Sequence, residues 1–155
     1  MRRVFHILVM VVILSACVLL QYAVLNAYSS DEESASTEFR ENLMPAQQGD
    51  AKAQVFVAYL YETGQGVTRN YSKAAEWYSR AARQGNPVAQ TQLGNMYRLG
   101  RGVPQNYVLA HMWLDLASKQ GSRQASELIT QVNRKMSRNQ LTEANRLAKN
   151  WKPEK

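Results

Sequence analysis

Cysteine and histidine are nearly missing from this chain: its 155 residues include one cysteine and two histidines. Cys17 lies inside an apolar N-terminal run, so no disulfide can form within the folded part of one chain, and stability must come from burial. His6 shares that run and leaves His111 alone beyond it. Without a cysteine or second histidine to join it, neither a zinc ligand set nor a Cys–His nucleophile pair can be assembled. Glu62, Glu76 and Asp115 fall on different segments, without the paired arrangement that general acid–base chemistry needs. Gly-x-Gly pairs stand at 64–66 and 100–102, but no strand pattern precedes them and no Lys-Ser/Thr follows, so they read as turn glycines and not as a phosphate loop. Cofactor and metal sites are accordingly not expected.

A disordered composition is also lacking. With 45% apolar and 20% charged residues, the chain has the make-up of a folded globular protein, and its length suits one domain. The net charge of +7 raises nucleic acid or an anionic surface as partners. Arg2 and Arg3 belong to the N-terminal run, however, and from Lys119 onward nine Lys/Arg face three Asp/Glu. The excess thus reads as terminal, no nucleic-acid motif accompanies it, and no nucleic-acid partner is expected.

Arg2 and Arg3 precede an apolar stretch from Val4 to Leu25, broken only by His6, Ser15 and Gln21. Its length could span a bilayer as a helix, which needs about 20 residues, and its layout also suits a secretory signal. Residues 1–27 have three open fates. Leu14-Ser15-Ala16-Cys17 resembles a lipobox, with Cys17 as the lipidated residue; Ala27, with Leu25 two before it, could be a cleavage site; or the run stays as an anchor. All three place the remainder outside the cytoplasm, in the periplasm or cell envelope, because the arginines stay on the cytoplasmic side.

After a polar stretch, 28–47, the sequence repeats itself. Aligning 49–84 with 85–120 gives 13 identities in 36 positions, where unrelated segments would share about two, so the duplication is genuine. A unit of this size holds two helices and two turns. In the first, 48–84, Asp50 is a candidate N-cap and Ala53, Val57, Leu60 and Tyr61 share a helical face. Gly64 and Gly66 then end the helix and turn the chain. Asn70 caps a second helix with the stripe Ala74, Trp77, Tyr78 and Ala81, and Gly85 stops it. The second unit, 85–120, restarts at Asn86-Pro87, a cap followed by the residue preset for a first helical turn.

The series Ala53, Tyr61, Gly64, Gly66, Val67, Asn70, Ala74, Trp77, Ala81 and Gly85 recurs as Ala89, Tyr97, Gly100, Gly102, Val103, Asn106, Ala110, Trp113, Ala117 and Gly121. It resembles the Sel-one-like repeat, a relative of the tetratricopeptide repeat. Leu109 for Lys73, Leu114 for Tyr78, and asparagine at 70 and 106 where the family often has aspartate are departures that leave the helix pattern intact. The resemblance implies an all-α fold, an α/α solenoid of stacked antiparallel helix hairpins wound as a right-handed superhelix. It also implies a non-catalytic scaffold or adaptor that binds a protein or peptide in the cell envelope on its concave face. The alternative is a cell-wall or β-lactam-directed hydrolase or binding protein, although the paired cysteines of such relatives are absent. If the stripe of the first helix packs inward, its opposite face carries Val55, Tyr59 and Glu62, and the counterpart in unit two carries Thr91, Asn95 and Arg98. These six are the candidate binding residues.

Both ends need closing. The second helix of unit two is apolar on nearly every side, from Val108 and Leu109 through Met112, Trp113, Leu114, Leu116 and Ala117, so something must cover it. Residues 121–151 are expected to form a capping hairpin. Ser122 starts its first helix, with Ala125, Leu128, Ile129 and Val132. A Ser137–Gln140 capping box starts its second, with Leu141, Ala144, Leu147, Ala148 and Trp151, and 152–155 follow as a tail. At the other end, Ala46, Gln48 and Gly49 align with Ala82, Gln84 and Gly85, which suggests a half-unit, while Pro45 argues against one continuous helix there.

Overall fold

The computed structural model describes residues 36–154 together with Gln21. The apolar run, Cys17 and the possible cleavage site at Ala27 lie outside the described residues, as does Lys155 at the end of the tail. Seven helices and no strand occur among the described residues: α1 over 36–47, α2 Ala51–Thr63, α3 Tyr71–Arg83, α4 Pro87–Leu99, α5 Tyr107–Lys119, α6 Arg123–Asn133 and α7 Arg138–Asn150. The chain is an all-α solenoid in which α2 pairs with α3, α3 with α4, and α4 with α5.

Helices α2 to α7 each start where a short polar side chain can satisfy an orphan backbone N–H. Asp50, Asn70, Asn86, Asn106 and Ser122 accept from amides two or three residues on. Ser137 and Gln140 cap α7 reciprocally. Gly64 and Gly100 end α2 and α4 in the left-handed region at φ 81 and 69, where a side chain would clash with its own backbone. Each long turn is then stapled shut, the Asn70 N–H donating to the Tyr61 carbonyl at 2.8 Å and the Asn106 N–H to that of Tyr97 at 2.9 Å. The repeated Tyr and Asn of the two units thus close the same loop twice.

The units are joined by a buried amide ladder that the stripe analysis did not anticipate. Gln54 donates to the Ala46 carbonyl, and 36 residues on Gln90 donates to the Ala82 carbonyl. Gln84 donates to the Gln54 side chain, and Gln120 likewise to Gln90, both at 2.8 Å. Each rung adds a side-chain donor to a carbonyl near the end of the preceding helix, which also accepts from the Gly49 or Gly85 N–H. At the next step Ser126 takes the glutamine's place and meets Ser118 at 2.7 Å. The first rung also shows that α1 stands to α2 as α3 stands to α4. Pro45 sits inside α1 because it falls in the last turn, where its missing N–H leaves a single hydrogen bond unmade.

The core is rich in alanine, so the helices approach closely. Ala58, Ala74, Ala81, Ala82 and Ala89 are fully buried, with Tyr78, Leu60, Leu93 and Leu114 as the largest enclosed side chains. Burying each large one contributes roughly 1.5–3 kcal/mol. Gly94 marks a close approach of α4 to α5: a Cβ there would lie 2.7 Å from Leu114 Cγ.

The expected capping hairpin takes a different form. α6 and α7 both pack along α5 and scarcely on each other. α6 buries Ala125 and Val132 against Ala110, Leu114 and Ala117, while Ala148 of α7 joins Met112, Trp113 and Leu116. A helix apolar on nearly every side cannot be covered by a single partner, so the two final helices divide its flanks between them. Substitution between the units foretells this: Lys73, Glu76 and Arg80 on α3 become Leu109, Met112 and Leu116 on α5, and α7 packs on Met112 and Leu116. Trp113 is accordingly buried and meets Trp151 edge to face at 6.1 Å, whereas Trp77 is only half-buried and is covered by Arg80.

Candidate protein-binding face

α2 and α4 are the first helices of the two units, and their outward faces follow the i, i+7, i+11 spacing of one helical side. On α2 this side presents Lys52, Tyr59 and Thr63, and on α4 Val88, Asn95 and Leu99. The exposed large apolar side chains among the described residues are Met44, Tyr59, Val88 and Leu99, at 60, 42, 54 and 38% exposure. Three of these four fall on the two first helices. A small solenoid that leaves apolar side chains in water along one side, while its core is closed elsewhere, offers that side for association.

The six candidate residues are not equivalent. Tyr59 is exposed as expected. Asn95 and Arg98 are half-exposed and joined, the Arg98 guanidinium donating to Asn95 Oδ1 through Nε at 3.0 Å and Nη2 at 2.7 Å, which holds the charge in a fixed place. Glu62 is half-buried and accepts from the Tyr78 hydroxyl at 2.9 Å, so it serves the contact between α2 and α3. Burial of that phenol, with the Glu62 carboxylate beside it, pushes the Tyr78 hydroxyl far above its ordinary titration range. Val55 leans on the core.

Thr91 is corrected outright. It is 3% exposed, donates to the Pro87 carbonyl at 2.8 Å and meets Ser122 Oγ at 3.0 Å, where α6 starts against α4. Opposition to the packing stripe does not guarantee exposure in a solenoid, because the next unit covers part of that side. Val88 and Leu99 were missed for a related reason. They stand at the positions of Lys52 and Thr63, and an apolar residue replacing a polar one at a repeat-equivalent site was the signal that could have found them.

His111 is buried among α5, α6 and α7, with Nδ1 2.7 Å from Asn133 Oδ1 and Nε2 3.2 Å from Asn145 Oδ1. Both ring nitrogens are engaged in fastening the last two helices to α5. Among the described residues no group of three or more His, Cys, Asp or Glu could hold a metal ion. The glycines of both Gly-x-Gly pairs have φ between 66 and 81, the conformation of turns.

The family profile of the Sel1 repeat matches residues 51–86 and 87–122. This chain carries two Sel1 repeats. Among solved structures it is similar to a protective antigen of uropathogenic Escherichia coli strains that displays an SLR fold, with a TM-score of 0.74 and 31% identity over 78% of this chain. It is also similar to a Sel1 repeat protein from Oxalobacter formigenes, with a TM-score of 0.59 and 34% identity over 61% of this chain. The chain spans 26% and 39% of those two proteins. No curated protein matches it. The Sel1 units correspond to α2 with α3 and α4 with α5, and α6 and α7 lie beyond the matched repeats. Sel1 repeats generally mediate protein–protein interactions.

Proposed function

We propose that this Sel1-repeat protein is a non-catalytic adaptor of the bacterial cell envelope that holds a protein or peptide against the outward side of α2 and α4. The observation that carries the reading is the coincidence of exposed Tyr59, Val88 and Leu99 on the first helices with Arg98 fixed by Asn95 beside them. Apolar anchors ringed by an ordered arginine suit a segment with buried apolar side chains and a carboxylate at its rim. Support for the location is the N-terminal sequence, Arg2-Arg3 before the run Val4–Leu25, which would export the repeats or tether them to the membrane.

Affinity capture from membranes in mild detergent tests the reading. A stoichiometric protein should be recovered with the wild-type chain and lost when Tyr59→Ala and Arg98→Ala are combined, both substitutions leaving the fold intact. Equal recovery with the double variant, or turnover of a cell-wall fragment by the purified protein, would overturn it. Cell fractionation with intact-mass analysis tests the location, and a mature chain in the cytoplasm would contradict it.

A further inference from the structure

The charge balance along the chain conceals a second basic region. Between Gly64 and Gln105 six Lys/Arg face a single acid, Glu76. Two of them, Lys73 and Arg80, stand seven residues apart on one exposed side of α3, and Arg69, in the loop just before the Asn70 cap, joins them at the loop end with Arg101 of the next unit. Each lies over an aromatic ring. Arg69 and Arg101 flank Tyr71 at 5.6 and 5.8 Å, Lys73 lies 5.2 Å from Tyr61, and Arg80 lies 4.4 Å from Trp77. Four such contacts around one repeat exceed the usual frequency of about one per 70–80 residues. Among the described residues none of these four cations lies within ion-pair distance of a carboxylate. Their stems are held on aromatic faces, and although Glu76 shares the Lys73–Arg80 side of α3, four cations against one carboxylate leave the stripe net positive.

Two features of the fold show what this stripe can accept. In the second repeat the equivalent side carries Met112 and Leu116, which pack with Ala148 of α7, so a helix fits this face of a Sel1 unit. Beyond α7 the chain returns to the end of α3, where the Glu154 N–H donates to the Arg83 carbonyl at 2.8 Å and its carboxylate lies 4.0 Å from Arg83. The chain's own acidic residue therefore occupies the last step of the stripe and leaves Arg69 to Arg80 open.

We propose that the exposed side of α3 is a second docking surface, which accepts an acidic amphipathic helix of a protein partner in the register that α7 occupies on α5. Its carboxylates pair with Lys73, Arg80 and the two arginines around Tyr71, and its apolar side rests against half-buried Trp77. This surface is separate from the side of α2 and α4 described above and does not depend on that reading.

Fluorescence anisotropy with the full chain and a labelled amphipathic helical peptide bearing glutamates along one side tests the proposal. The expected result is binding that weakens with salt, is absent for the lysine version of the peptide, and falls roughly tenfold or more when Lys73→Glu and Arg80→Glu are combined. Arg98→Ala should leave it unchanged. Lys73 and Arg80 are exposed and Arg98 is half-exposed, and circular dichroism should show the wild-type helix content for each variant. Equal affinity for the charge-reversed variant would overturn the proposal. So would binding to phosphatidylglycerol vesicles without binding to the acidic peptide, which would identify the stripe as a lipid-facing surface.

Discussion

The two tryptophans at equivalent positions of the two repeats should differ in what they contribute. Trp113 is almost wholly enclosed between α5 and α7 and stacks edge to face on Trp151. A buried aromatic side chain hides roughly 150–250 Å², which at about 25 cal/mol per Å² corresponds to some 4–6 kcal/mol. That is an upper figure, since unfolded chains already bury part of their surface, and measured losses for emptying such sites run to about 3–5 kcal/mol. Trp113→Ala should therefore cost about 3–5 kcal/mol and loosen α7, because Ala148 and Trp151 lose their seat. Trp77 is half-buried with Arg80 over its ring, so Trp77→Ala should cost about 2 kcal/mol. Urea unfolding followed by circular dichroism reads both without relying on tryptophan emission. Combining Trp113→Ala with Trp151→Ala should show a coupling of about 1 kcal/mol. Equal losses for Trp77→Ala and Trp113→Ala, or strict additivity of the pair, would refute the placement of α7 over α5.

Four further outcomes follow from the packing. Gln90→Glu should destabilise by about 2–3 kcal/mol in urea unfolding near neutral pH, because a carboxylate would face the Ala82 carbonyl in a fully buried site. Gly102→Ala should lower stability by about 3 kcal/mol, since its φ of 69 disfavours a side chain and a Cβ would overlap the Tyr71 carbonyl. Gly121→Ala, with open space around the site, should cost only about 1 kcal/mol in the same urea unfolding measurement. The Tyr78 phenol is raised above its ordinary value of 10.0, so its contribution is fully present below that pH and is lost as pH climbs toward the folded-state value. Stability measured by urea unfolding should thus decline above about pH 10, and Tyr78→Phe should flatten that decline by roughly 1.4 kcal/mol per pH unit.

The helices were legible because their punctuation is local. Asp50, Asn70, Asn86, Asn106, Ser122 and Ser137 announce starts, Gly64 and Gly100 announce stops, and these depend on neighbours within a few residues. The arrangement of the last two helices was not, because covering α5 is a matter of which flanks remain open, and the Ser122–Trp151 segment carries two amphipathic stripes that could equally have faced each other. The candidate face was read in part. Tyr59, Asn95 and Arg98 follow from helical geometry alone, whereas the loss of Thr91 to the contact with Ser122 depends on how one unit slides over the next. The glutamine ladder was visible as two of the repeated identities, but a polar side chain is assigned to a buried site only when the carbonyl that needs it can be named.

Site-specific photo-crosslinking in cells addresses the binding role most directly. A benzoylphenylalanine placed at Val88 or at Leu99 should each yield the same discrete protein adduct, while the same probe at Arg138 on α7 should yield none. Adducts that are identical at all three positions, or missing from both α4 positions in cells that make the folded protein, would contradict the assignment of that side as the partner's seat.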